Sequence, residues 1–382
     1  MTSEHSVARY PYPSAPVRYP VDLTSCARAL VTRRRAHPTG LFTSSGEEAL
    51  RVALGFAREE RQLGLTARVV VPDFICASVP RAVDDAGLLV TFAEVDPATW
   101  SYAPGALEDA LDAGAGVVLA VSYFGLPAAG ALDAPERLHS AVERAFVIED
   151  LAQAYGLSEL RARVSGARMT VYSFGRGKSL PLGWGGLVEP RGTTEQRWLA
   201  ARAAERKRGS VVASVLNLAL AQLQRVALHP SVWRLLPIPE QVPVDTARPR
   251  VLPPPAWPVD AYLAVAAERH RRVVEQRRAN ALRTRALLAD MAGLTVPAAA
   301  ALAAGVALRL PVTFAEVADA RAVRAALAAG RLIKGPNSWE EYGLPGEHAR
   351  DVAARLLTLP TQPGSEDAVA RAVDVIAHVL RA

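Results

Sequence analysis

MTVYSFGRGKSLPLGWGG, residues 169–186, starts as a short β-prone apolar run and breaks into a glycine-rich turn that carries Lys178. The chain has 44 Lys plus Arg, yet lysine stands only at positions 178, 207 and 334. Arginine stays protonated and cannot act as a nucleophilic amine, whereas a desolvated lysine can lose its proton. A lysine kept in a turn after a buried run therefore suggests amine chemistry, such as condensation with an aldehyde.

Working outward, RVVVP (68–72), LLVTFAEV (88–95), VVLAVSYF (117–124), FVIED (146–150) and MTVYSF (169–174) are short and almost wholly apolar. Such runs suit strands buried on both faces. Helical patterns fall between them at 47–60, 77–87, 104–114 and 134–145. The alternation predicts βαβ units and a mainly parallel sheet covered by helices. A proline-rich passage, 237–258, reads as a linker. Beyond it the pattern predicts a helix near 259–290, a strand at 305–314, and helices near 317–329 and 365–381. The expected organisation is an N-terminal segment and large domain over 1–245, and a small α+β domain over 246–382.

Ligands of parallel α/β sheets collect at the carboxyl ends of the strands. The segments that follow these strands hold Asp150 in EDLAQAYG, Ser173 and Lys178 in SFGRGKSL, and DFICAS after strand 68–72. TSSGEEAL (43–50) opens the first helix. Pyridoxal phosphate needs an amine for its aldehyde and an acid facing its ring nitrogen. Its phosphate needs backbone amides, hydroxyls and a helix N-terminus. Lys178, Asp150, Ser173 and the TSSG segment can supply these.

These residues resemble the DegT/DnrJ/EryC1/StrS aminotransferases, the sugar-aminotransferase branch of fold-type I pyridoxal phosphate enzymes. The likeness rests on SSGEEALRVAL, the VVVPDFICAS to VDPATW stretch, VIEDLAQAYG, SFGRGKSLPLGWGG and LLTLPTQPG. It is strong over about 40–190 and weak over 305–380. The resemblance implies an α/β fold of PLP-dependent transferase fold type I, with a small C-terminal α+β domain. It implies that Lys178 bonds the cofactor and moves the substrate's α-proton, and that Asp150 faces the pyridine nitrogen. Gln153 would lie near the ring's 3-hydroxyl. Ser173, with backbone at Ser45, Gly46 and Glu47, would hold the phosphate, and Phe74 or Cys76 would lie against the ring face. The implied reaction moves an amino group from glutamate or glutamine to a ketosugar carried on a nucleotide, in a cytoplasmic homodimer. The alternatives are another PLP reaction, such as dehydration or transamination of a non-sugar carbonyl, and a scaffold without turnover. In the dehydrating branch a histidine replaces the lysine, and Lys178 argues against that branch.

The sequence departs from the family in three places. Glu47 stands where threonine is usual, and a carboxylate beside a phosphate is unfavourable unless it turns away. A plain capping box, with Ser44 or Ser45 as cap and Glu47 or Glu48 three residues on, also explains that segment. Trp184 replaces an acid and could shape a substrate pocket. The family's glycine-tyrosine-asparagine segment has no match between 195 and 230, and Arg176 could supply the missing phosphate contact. Phe124-Gly125 reads as core and turn, and Trp339 and Tyr342 as either a lid or local packing.

Composition excludes other classes. Half the residues are hydrophobic, and the net charge is +6. The basic clusters at 33–35, 205–209 and 269–278 carry no interleaved aromatics and no nucleic-acid motif, and the last two read as solvated helix faces. The basic balance instead suits an anionic substrate. No run reaches the roughly 18–20 apolar residues of a membrane helix, and the N-terminus offers no export signal. Cys26 and Cys76 show no metal spacing, and His139, His229, His270 and His348 show no ligand spacing. No metal is expected.

Overall fold

The computed structural model describes residues 23–32, 35–64, 66–128, 143–157, 164, 166–175, 177–205, 209–227, 254–329 and 344–381. Helix α1 (Leu23–Thr32) leads to strand β1 (Leu41–Thr43) and helix α2 (Gly46–Glu60). Then follow β2 (Arg68–Pro72), α3 (Ser78–Asp85), β3 (Leu89–Ala93), the small hairpin β4 (Val95–Asp96) and β5 (Ser101–Tyr102), and α4 (Ala106–Asp112). Strands β6 (Ala115–Val121), β7 (Phe146–Asp150), β8 (Met169–Ser173) and β9 (Gly186–Pro190) complete the large sheet.

Its order is β1-β9-β8-β7-β6-β2-β3. From β8 to β3 the neighbours are parallel, and β9 and β1 join antiparallel. Side chains of a strand alternate between faces. Val69, Val71, Val117, Leu119, Ile148 and Val171 pack in one apolar cluster with α2. Val70, Val118, Ala120 and Val147 pack in another with Leu107 and Leu111 of α4. Both faces are buried, so the strands are apolar throughout rather than alternating. That is the expected parallel layout, and the fold class follows it.

Helices α5 (Thr193–Glu205) and α6 (Val211–Ala227) follow β9, and the long α7 (Trp257–Leu288) starts with Pro258 in its first turn, where a missing N–H costs nothing. The second sheet has the order β10-β11-β12, from β10 (Leu294–Thr295), β11 (Arg309–Phe314) and β12 (Leu356–Pro360). Around it lie α8 (Ala299–Ala304), α9 (Val317–Ala329), α10 (Gly346–Arg355) and α11 (Glu366–Arg381). The expected boundary at 245/246 and the helix expected at 134–142 lie outside the described residues.

The two sheets meet at a tight backbone contact. Phe124 (φ 53°) and Gly125 (φ 79°) form a left-handed turn after β6. Val306 N–H donates to Gly125 O at 2.7 Å. A Cβ on Gly125 would stand 2.5 Å from Val306 Cγ2, so this position needs glycine. Phe124 is fully buried, as core-and-turn reading expects.

The cluster at 269–278 is not a solvated face. His270 and Arg277 are buried, because α7 turns the stripe His270, Val274, Arg277, Ala281 inward. Arg277 donates to Ser179 O at 3.1 Å. Arg271 and Arg272, on the other side, do face solvent and pair with Glu268.

Candidate active site

β7 ends on Asp150 and β8 on Ser173. Ile148 and Val171, two residues earlier in each strand, face α2. The period of two therefore puts Asp150 and Ser173 on that same face, at the carboxyl rim. The N-terminus of α2 comes to meet them. A Cβ on Gly46 would lie 2.7 Å from Ser173 Cβ, and one on Gly186 would lie 2.3 Å from Ser45 O. Glycine at both positions lets the first turn of α2 sit against the ends of β8 and β9.

That turn is capped as a capping box. Glu48 N–H donates to Ser45 Oγ at 3.1 Å. Glu48 Oε2 accepts from Ser44 N–H at 2.7 Å and from the Ser44 hydroxyl. The first amides of a helix lack intrahelical acceptors and favour an anion. That of Gly46 stands against Ser173, and that of Glu47 is the next along the same turn. Glu47 itself turns to Arg81 of α3, at 3.0 Å, so its carboxylate is held by a cation and not by the cradle.

Lys178 follows in the turn after β8, half-buried, behind Gly177 with φ 73°. Its amide donates to Gly175 O at 3.4 Å. Asp150 is 7 % exposed. Burial pushes its carboxyl up, while the Ala152 N–H at 2.8 Å and the charge of Lys178 pull it down. Lysine and acid thus act on each other electrostatically across the rim.

Gln153 Oε1 accepts from Phe124 N–H at 3.0 Å, so the left-handed turn after β6 fixes its amide. Phe74 is corrected. Its ring is 1 % exposed and packs on Trp100, with centroids 5.4 Å apart, and on Tyr123. The turn after β2 sends Phe74 into the core and leaves Cys76 exposed, with Ser78 Oγ 3.3 Å from its sulfur. Trp184 is buried among Leu180, Leu182, Leu187 and Tyr262, which makes it core rather than pocket wall. Arg176, Trp339 and Tyr342 lie outside the described residues.

Two features at this rim were not foreseen. Asp73, at the end of β2, accepts from Phe74 N–H and Val95 N–H, and meets His348 Nδ1 of α10 at 2.6 Å. A Cβ on Gly177 would lie 3.7 Å from Arg309 Nη2, so β11 reaches the lysine turn. A lone aspartate after a strand was the only sequence signal for the first. Nothing in the sequence marked the second.

Residues 33–209 match the family model described as the DegT/DnrJ/EryC1/StrS aminotransferase family. The matched segment spans 177 of the 382 residues and is similar to that family. Solved structures extend the likeness in fold to nearly the whole chain. DesV of S. venezuelae is 19% identical, with 94% of each chain covered and a TM-score of 0.61. AtS13 from Actinomadura melliaura is 20% identical over 93% of this chain and 90% of that one, with a TM-score of 0.63. The E. coli GDP-4-keto-6-deoxy-D-mannose-3-dehydratase, solved with bound hydrated PLP, is 12% identical over 97% and 100%, with a TM-score of 0.65. No curated protein matches the sequence. The fold is that of the fold-type I PLP-dependent transferases.

The residues present fit that cofactor. The Gly46, Gly186 and Ser173 contact forms a cradle that any Cβ would fill, and the buried acid Asp150 lies within the electrostatic influence of Lys178. Among the described residues no group of His, Cys, Asp and Glu could hold a metal ion, and no helix is long and apolar enough to cross a membrane.

Proposed function

We propose that the chain is a pyridoxal phosphate-dependent aminotransferase that moves an amino group from glutamate or glutamine to a ketosugar, carried on a nucleotide. One observation carries this reading. Asp150, Ser173 and the first turn of α2 share one rim and one face of the sheet, and Lys178, in the turn that follows Ser173, acts electrostatically on Asp150. The family match over 33–209 supports it.

Bound there, pyridoxal phosphate would supply the aldehyde and the electron sink. The amides of Gly46 and Glu47 and the Ser173 hydroxyl would hold the phosphate. Asp150 would share a proton with the ring nitrogen, which relieves a carboxylate that burial makes costly. Gln153, fixed by Phe124 N–H, would offer its NH2 to the ring's 3-hydroxyl. Lys178 Nζ would take the proton from the substrate carbon and return it, as general base and then acid. Cys76 would stand at the ring face, now that Phe74 is in the core. The family reading adds a cytoplasmic homodimer.

A dehydration is the second reading, favoured by the fold likeness to the E. coli dehydratase and opposed by lysine at 178. Absorption spectra separate the readings. The protein with added pyridoxal phosphate should show a visible band, and glutamate should bleach it. A band that no amino donor bleaches would sink the aminotransferase reading and favour a scaffold. A Lys178→Ala protein that keeps the band would remove Lys178 from its role.

A further inference from the structure

One helix holds two carbonyls that flank the candidate site in sequence. Ser179 follows Lys178 directly, and its carbonyl accepts from Arg277 Nη1 at 3.1 Å. Tyr155 lies in the segment that starts at Asp150, and its carbonyl accepts from His270 Nε2–H at 2.8 Å. His270 and Arg277 are two helical turns apart on α7, so both reach out from one side of it. The Ser179 hydroxyl closes the arrangement. It donates to Tyr155 O at 3.0 Å and lies 3.5 Å from Arg277 Nη1. The lysine turn and the segment after Asp150 are thus bonded to each other and to α7.

The residues around this contact suit it. Gly156 has φ 99°, and a Cβ there would lie 3.0 Å from His270 Nε2, so a side chain at 156 would push the ring off its carbonyl. Arg277 is 0% exposed and Ser179 2%. Burying a guanidinium costs more than burying an apolar side chain of the same volume. Stability alone therefore does not call for arginine at 277. One turn further on, Asn280 donates to Thr361 O and to Glu366 Oε1, both at 2.9 Å. Adjacent turns of α7 therefore grip the lysine turn and the exit of the small sheet.

We propose that Arg277 is a positioning residue for Lys178. Its guanidinium fixes the carbonyl next to the lysine. With Ser179 and Tyr155 it sets the spacing between the lysine turn and the segment that carries Asp150. It acts through the backbone and not on the substrate. The inference rests on the assignment of Lys178 as the reacting amine. Ser179 is joined to Lys178 by one peptide bond, so freedom at its carbonyl passes straight to the lysine. A shift of about 1 Å at a reacting group can cost ~100-fold in rate.

Arg277→Met in the full chain tests this, with the solvent-facing Arg271→Met as control. Hydrogen exchange of the cofactor-free proteins is the first measurement. The amides of Lys178 and Leu182, bonded to Gly175 O and Phe174 O, should exchange ~10-fold or more faster in Arg277→Met, as a local opening would make them, and α2 should stay as in the wild type. The second is bleaching of the visible band by glutamate after loading with pyridoxal phosphate. Its rate at saturating glutamate should fall by ~10-fold or more, with the half-saturating concentration changed by less than ~3-fold. A merely structural loss would shrink the amplitude and leave the rate of the surviving fraction unchanged. Arg277→Lys, which keeps a charged donor, should recover most of the rate, and Arg271→Met should match the wild type. Should Arg277→Met not fold, Ser179→Ala removes the link to Tyr155 O without touching the buried charge, and should also speed exchange in the turn.

Unchanged exchange in the turn, or wild-type bleaching rates in Arg277→Met, would overturn the proposal. Where glutamate bleaches not even the wild type, the aminotransferase reading fails by itself. Exchange then decides the role of Arg277, with faster exchange in the turn supporting it and unchanged exchange overturning it.

Discussion

His348 Nδ1 stands 2.6 Å from Asp73 Oδ2, and this contact ties the small sheet's helix α10 to the rim of the large sheet. The same carboxylate accepts from the amides of Phe74, at 2.8 Å, and Val95, at 3.1 Å.

The two partners should therefore differ in weight. Asp73→Ala strands two buried N–H groups and should cost about 3 kcal/mol. His348→Ala removes a partly exposed partner and should cost about 1 kcal/mol or less. Urea unfolding measures both. Equal losses would show that Asp73 acts only through the histidine.

Gly46→Ala should damage the cradle directly. Its methyl would meet Ser173 Cβ at 2.7 Å, an overlap that costs roughly 1–3 kcal/mol. Pyridoxal phosphate affinity, followed by visible titration, should fall by about 10-fold or more. Glu47→Gln should leave it unchanged, because Glu47 is turned to Arg81. A Glu47→Gln protein that binds the cofactor much more tightly would place that carboxylate back at the phosphate.

Asp150 makes the cofactor-free fold sensitive to alkali in one direction. Its folded pKa lies above the ordinary 3.8, so between the two values the native state holds the extra proton. Stability falls as pH rises from 3.8 through the raised value. Asp150→Asn removes that decline and should abolish the response to glutamate. Unfolding midpoints from pH 4 to 7 would show the two curves converging at the acid end. Parallel curves would mean that burial does not set this carboxyl.

His270 works in the opposite sense. Burial lowers it from 6.5 to about 4, and its Nε2–H donates to Tyr155 O at 2.8 Å. As pH falls below 6.5 the unfolded chain takes up a proton that the native chain refuses. Stability should drop by about 3 kcal/mol down to pH 4. His270→Gln, which can keep the bond to Tyr155, should flatten that limb. The same unfolding series reads it, and an unchanged slope in the variant would assign the loss elsewhere.

The parallel strands were legible because burial on both faces leaves an unbroken apolar run. Asp150, Ser173 and Lys178 were legible because they follow such runs directly. β1 has only three residues, and β9, GLVEP, has its apolar pair broken off by glycine, glutamate and proline, so neither registers as an apolar run. LLTLP was quoted as a motif, yet its leucines suit helix and strand alike, so β12 went unassigned. Charge misled at 269–278, since a list of charges does not say which way a helix is turned, and the spacing of His270, Val274 and Arg277 does. Phe74 misled because a side chain just past a strand end no longer obeys the strand's alternation. The Asp73–His348 and Gly177–Arg309 contacts join residues more than a hundred positions apart, and no local pattern encodes them.

The scarcity of lysine has a practical consequence. Lys178 is the sole lysine among the described residues, and the whole chain adds only Lys207 and Lys334. Amine-directed reagents therefore have almost no competing side chains to modify. Reductive fixation of a pyridoxyl group followed by peptide mass mapping would report the occupied position by itself, without mutagenesis.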